Sequence, residues 1–160
     1  MKKWGKFILL FLTLATLVFI FSNSLRTASV SNEQSGRITS LFSEIYRFIT
    51  GKLVPPARLT HTVRKVAHFV EFALLGFLGA SSAASFFGEL RGRVYMLLFW
   101  GLIVALLDEY LQRFSRGRSP QVSDIFLDFT GYLSGFALAC LITFLLKRRR
   151  SKHGVGVSLD

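Results

Sequence analysis

The chain is poor in the features that give small soluble domains their chemistry. It has one cysteine among 160 residues, which excludes an internal disulfide framework and any CxxC metal or redox motif. That residue, Cys140, lies in an apolar run and reads as a small buried hydrophobe. HExxH, GxSxG and the phosphate-binding P-loop are all missing, so no zinc-protease, serine-hydrolase or Walker-type chemistry can be assigned from spacing. There is no evident internal repeat. Acids are scarce: nine Asp and Glu stand against twenty Lys and Arg, a formal charge of +11. In a soluble protein such an excess would suggest nucleic acid. Here the basic residues largely flank apolar runs, where they act as topology signals and contacts to anionic lipid. Membrane lipids are therefore expected partners and nucleic acid is not.

What the chain has in quantity is apolar length. Hydrophobic residues make up 51% of it, too many for an ordinary soluble domain of this size. The expected fold is all-α, a polytopic membrane protein with four transmembrane helices and an amphipathic interfacial helix in the first outer loop. Residues 1–150 form one transmembrane domain, followed by a disordered cytoplasmic tail over 151–160.

The first run, Phe7 to Phe21, follows Lys2, Lys3 and Lys6 and is about long enough for a ~30 Å hydrocarbon core at ~1.5 Å per residue. A cleaved signal peptide competes with an uncleaved anchor for this segment, because Ser22-Asn23-Ser24 could pass for a cleavage site. The anchor is preferred. In the polar segment from Asn23 to Thr62, Ile38, Leu41, Phe42, Ile45, Phe48 and Ile49 recur at helical spacing, and Ser31 with Gln34 is placed like a capping box. This predicts the interfacial helix, with a lid packed on the bundle as the alternative. Pro55-Pro56 stops it.

The second span, Val66 to Phe87, carries Ala73, Gly76 and Ala80 as a small-residue strip that lets another helix come close. After the basic turn from Gly88 to Arg93, the third run, Val94 to Leu107, is only fourteen residues. To cross a bilayer it must continue through Asp108, Glu109 and Tyr110 toward Arg113. Ser123 is placed as a cap for the fourth span, Ile125 to Leu146, which holds a GxxxG match at Gly131 to Gly135. Lys147-Arg148-Arg149-Arg150 closes it. Lys2, Lys3, Lys6, Arg91, Arg93 and the cluster from Lys147 to Lys152 fall on one side, which makes both termini cytoplasmic.

Ionisable side chains within such spans are expensive and need a reason. Arg64, His68 and Glu71 stand at i, i+4 and i+7, on one helix face. In a four-span topology the second span enters where the third leaves and the fourth returns, so three charged clusters meet at one membrane face. They bring together Arg64, Lys65, His68 and Glu71; then Asp108, Glu109, Gln112, Arg113, Arg116 and Arg118; then Asp124 and Asp128. Five carboxylates could hold a hard cation. Arg64, Lys65, Arg113, Arg116 and Arg118 match them in charge, so mutual pairing can neutralise the cluster, and no metal or other cofactor is expected. The group could equally be an ion-pair network that pins helix ends together. Arg116 and Arg118, flanking Gly117, suit recognition of phosphate or carboxylate, or form a solvated turn. His68 alone reads as a structural hydrogen-bonding group. Paired with Glu71 it could relay a proton or act as a general base, and these two are the catalytic candidates if there is catalysis at all.

The run from Arg64 to Gly76, then Asp108-Glu109-Tyr110-Leu111-Gln112, then Gly117-Arg118 followed by Asp124 and Asp128, resembles the VanZ-like family of bacterial membrane proteins. Phe21-Ser22-Asn23-Ser24, with Ser35 downstream, is similar to the polar stretch those proteins carry after their first span. The resemblance implies a small multi-pass protein of the bacterial cytoplasmic membrane. The family's namesake is an accessory factor in teicoplanin resistance, and the family supplies no agreed catalytic mechanism. Its motif positions fall here on Arg64, Lys65, His68, Glu71, Asp108, Glu109, Gln112, Gly117, Arg118, Asp124 and Asp128. The expected function is an outer-face polar site that binds an anionic envelope ligand: a lipid phosphate, a cell-wall precursor or a glycopeptide antibiotic. An intramembrane enzyme acting on a phosphate-linked lipid and a purely structural ion-pair cluster are the alternatives.

Overall fold

The structure, a computed structural model, describes residues 3–27, 56–88, 90–117 and 120–154, together with Glu33, Gly36, Thr39, Ser40, Ser43, Glu44, Arg47, Phe48, Thr50 and Gly51. Four long helices carry it: α1 Lys3–Ser24, α2 Pro56–Phe87, α3 Val94–Gln112 and α4 Val122–Gly154. Each is long and apolar enough to cross a membrane, and the chain is a multi-pass all-α membrane protein. Phe7, Phe11, Leu14 and Val18 of α1 face outward, as lipid-facing residues should where no water drives apolar groups inward.

The helices are longer than their apolar runs. α2 starts at Pro56, ten residues before Val66, because proline has no N–H to lose in a first turn and its φ already suits a helix. α3 does run on through Asp108 and Glu109, to Gln112. α4 begins at Val122, so Ser123 sits inside its first turn and does not cap it. The Ser123 hydroxyl reaches Asp124 Oδ1 (3.2 Å). The opening of α4 is instead tied sideways to α3: the Gln121 N–H donates to Glu109 Oε1 at 2.5 Å. Past residue 150 the helix continues to Gly154, and 155–160 lie outside the described residues. Of the positions proposed for the interfacial helix, only Phe48 is described; it is helical and 92% exposed. Ser31 and Gln34 lie outside the described residues. Thr39, buried, is reached by the Thr60 hydroxyl of α2 at 3.5 Å.

The centre of the bundle is the crossing of α2 and α4. A Cβ built on Gly135 would stand 1.7 Å from the Ala73 carbonyl oxygen, one on Gly131 2.4 Å from that of Phe69, and one on Gly76 2.1 Å from that of Tyr132. The two backbones therefore touch, and both the small-residue strip and the GxxxG match form the contact. Tyr132 wedges into the space that remains. Its ring occupies the site where a Gly101 Cβ would lie, 2.3 Å away, and its hydroxyl donates to the Leu97 carbonyl at 2.9 Å. Phe72, Leu75, Val104, Phe136 and Ile20 pack around it.

Gly135→Ala should lower stability in detergent by about 1–3 kcal/mol, the usual cost of overpacking, because the blocking atom is backbone and cannot rotate away. Gly92→Ala, with nothing within 4 Å of its added Cβ, should leave thermal unfolding within about 0.5 kcal/mol of wild type. Equal midpoints for the two variants would contradict the backbone contact.

Candidate functional site

All four helices send polar side chains to one end of the bundle. On α3 the last turns bury Asp108, Glu109 and Gln112, and on α4 the first turns bury Asp128. His68 and Glu71 of α2 and Asp124 of α4 are partly buried. Asp108 is 0% exposed and Asp128 1%, in surroundings where a charged group without compensation is costly.

Asp108 is held from two directions. Ser24 Oγ, at the end of α1, donates to its Oδ1 at 2.6 Å, and Gln112 Nε2 donates to its Oδ2 at 3.2 Å. Asn23 Nδ2 donates to Glu71 Oε1 at 3.1 Å. Glu71 Oε2 in turn lies 3.8 Å from His68 Nδ1. The Ser115 hydroxyl, just past α3, donates to the Arg26 carbonyl. Lys65 reaches Asp124 at 2.5 Å, with both side chains still partly open to solvent. The Asn23, Ser24 and Lys65 bonds join different helices and the Ser115 bond joins the segments that follow α3 and α1, whereas Gln112 sits one turn beyond Asp108, and Glu71 one turn beyond His68, on the same helix.

The innermost part is a triad. His68, Asp108 and Asp128 each offer a ligand-type atom, and these atoms lie within 4.8 Å of one another. Asp128 Oδ1 is buried and has no hydrogen-bond partner among the described residues. A crevice of about 10 Å³ opens onto this region between Arg64, Lys65, His68, Gln112, Asp124, Leu127 and Asp128. That is close to the volume one water-sized sphere occupies.

A family model described as VanZ/LLP1 matches residues 7–144. The chain belongs to that family. No curated protein and no solved structure matches it.

Of the residues read from the sequence of this VanZ/LLP1 chain, the structure gathers Arg64, Lys65, His68, Gln112, Asp124 and Asp128 around the crevice. Asp108, Glu109 and Glu71 stand among them as buried or partly buried acids. Arg116 does not join: it is exposed, as is Arg113, so two of the five cations expected inside the cluster stand at its rim. Arg118 lies outside the described residues. Asn23 and Ser24 were missing from the site as read from sequence, although Phe21-Ser22-Asn23-Ser24 had stood out as a segment. The available signal was a pair of amide and hydroxyl groups at the same membrane depth as the acids.

Ser24→Ala leaves Asp108 Oδ1 short of its donor and should cost ~1–3 kcal/mol. The Thr16 hydroxyl bonds the Leu12 carbonyl of its own helix, 2.8 Å away, so Thr16→Ala should change stability by less than about 0.5 kcal/mol. Denaturant or thermal unfolding of the two variants in the same detergent checks the difference.

Proposed function

We propose that this VanZ/LLP1-family chain binds an anionic amphiphile of the bacterial envelope, with its phosphate-type headgroup at the rim of the polar end and its apolar chain inside the bundle. The observation that carries this reading is a second, apolar cavity of about 430 Å³ that starts one turn from Glu71 and Asp108, at Leu75 and Val104, and runs along the helices to Phe86 and Phe87. It is lined by Leu17, Leu75, Gly79, Ala83, Trp100 and Tyr132 among others. Tyr132 is one helical turn from Asp128 and Leu75 one turn from Glu71, so polar crevice and apolar cavity follow one another along the same helices. The volume is within the usual range for small-molecule sites. The crevice itself is too small for a headgroup, which leaves Arg64, Lys65 and the exposed Arg116 as the groups that would meet an anion.

In this reading the polar end faces outward and both termini are cytoplasmic. The support is the charge: Lys6, Arg91, Arg93 and the Lys147-Arg148-Arg149 run lie at the opposite end, where the positive-inside bias puts the cytoplasm. The ligand classes that fit are a lipid phosphate, a lipid-linked cell-wall precursor and a lipoglycopeptide such as teicoplanin, and a role in resistance would follow from binding the last two. A purely structural ion-pair cluster fits less well. Such networks are a poor source of stability and serve best when every member is satisfied, whereas Asp128 Oδ1 has no partner among the described residues.

Lipids that co-purify with the full chain in mild detergent, identified by mass spectrometry, test the proposal. Wild type should retain a phosphate-bearing lipid. Arg64→Ala with Lys65→Ala should lower its retention at least tenfold, about 1.4 kcal/mol, and Ala83→Phe should do the same by filling the cavity. A lipid profile identical across the folded wild type and both variants would refute it.

A further inference from the structure

We propose that His68, Asp108 and Asp128 bind one divalent first-row metal ion of the Zn²⁺ or Mn²⁺ kind. The three side chains come from three helices and already bring their ligand-type atoms within 4.8 Å of one another. Ligands on a zinc ion at ~2.0–2.2 Å in tetrahedral array stand about 3.5 Å apart, so the triad closes onto an ion through side-chain adjustments on the order of an ångström. Two carboxylates offset the charge of the ion. The imidazole selects against Mg²⁺ and Ca²⁺, which prefer all-oxygen shells.

The second observation is independent of the clustering. Asp128 is 1% exposed, and its Oδ1 has no hydrogen-bond partner among the described residues. A carboxylate oxygen so deeply buried is ordinarily satisfied by a donor, a water or a cation. The crevice that reaches Asp128 and His68 has room for a body of about one water's size, which suits an ion and excludes a headgroup.

The surroundings are those of a metal site. Ligating carboxylates and histidines are usually held by outer partners that fix their orientation. Ser24 and Gln112 hold Asp108 through one oxygen each. The Glu71 carboxylate stands 3.8 Å from His68 Nδ1, and Asn23 steadies Glu71 from its other oxygen. Three protein ligands leave at least one coordination position open, the pattern of sites that bind or activate a further group. The inference does not depend on a bound lipid, since the triad and its partners are complete without one.

The test uses full-length protein in detergent, stripped with chelator, dialysed, titrated with ZnCl₂ or MnCl₂, and passed through gel filtration before elemental analysis. Wild type should carry about one ion per chain, with metal raising its melting temperature, as binding to the folded state requires. Asp128→Asn and His68→Gln should each weaken binding more than tenfold and abolish the melting shift. Ser24→Ala, which disturbs only an outer partner, should weaken it about 10–100-fold. The exposed His61 lies elsewhere on α2, so His61→Gln should bind as wild type does. Stripped wild type that takes up no ion and shows no melting shift at ~100 μM metal overturns the proposal. So does unaltered binding in both Asp128→Asn and His68→Gln. Should Asp128→Asn fail to fold, the wild-type stoichiometry and the His68→Gln melting shift decide. Lipid retention, read by mass spectrometry on the same samples, reports separately on the amphiphile, so loss of one reading leaves the other standing.

Discussion

Everything at the polar end depends on how closely α2 and α4 approach. In a bilayer the hydrophobic effect does not press helices together, and packing of small residues has to do so. Gly76, Gly131 and Gly135 remove the side chains that would keep the two backbones apart, with added Cβ atoms falling 1.7–2.4 Å from carbonyl oxygens of the facing helix. That contact sets the register. Gly131 lies against Phe69, so Asp128, one turn earlier on α4, comes to the level of His68. A wider crossing would separate the two and leave each as an isolated polar group in apolar surroundings, which is costly.

α3 and α1 complete what the crossing begins. Tyr132 fills the space against Gly101, and its hydroxyl bonds the Leu97 carbonyl. This holds α3 at a height where Asp108 meets Asp128 and His68. α1 is otherwise the most lipid-exposed helix, yet its last turn buries Ile20 and Ser24. Ser24 and Asn23 bond acids of two different helices. The end of α1 thereby links α2 and α3, whose contact with one another is otherwise slight. The first span thus contributes to the polar end as well as to the membrane-spanning bundle.

Much of this was legible in the sequence because it is written in local periods. The four spans followed from apolar length, the continuation of α3 through Asp108 and Glu109 from the shortfall of Val94 to Leu107, and the close-packing faces of α2 and α4, though not their pairing with each other, from small residues at helical spacing. That three charged segments share one end follows from counting crossings. The rest has no periodic signature. The bonds from Asn23 to Glu71 and from Ser24 to Asp108 span 48 and 84 residues, and nothing in the spacing of either partner announces the other. Charge balance misled for a related reason: composition places Arg113 and Arg116 beside the acids, but side-chain direction decides whether they reach them. Gln112 points inward while its neighbour Arg113 is exposed, one helical step of ~100° apart. The start of α4 was also misread. Ser123 has the right chemistry for a cap, but the helix already starts at Val122, and the Ser123 hydroxyl turns to Asp124.

The outward turn of those arginines has a consequence for what the cluster is. Balanced in sequence, the group could have been neutral and self-contained. In the folded chain Lys65 pairs with Asp124 at the edge while staying partly open to solvent, Arg113 and Arg116 face outward, and the deepest positions go to two aspartates beside a histidine. Burial of carboxylates in that arrangement favours a cation at the centre and leaves guanidinium and ammonium groups at the rim. In the proposed readings an anionic headgroup and a metal ion would not be rival occupants. They would sit at two layers of one polar end, an outer layer of positive side chains and an inner layer of acids. The 430 Å³ apolar cavity beneath adds a third layer. That order, from charged rim through ion-sized crevice to apolar-lined space, matches the polarity gradient an amphiphile lying along the helices would have, which is the physical ground of the proposal that a lipid-like ligand, more than a small water-soluble anion, would suit this bundle.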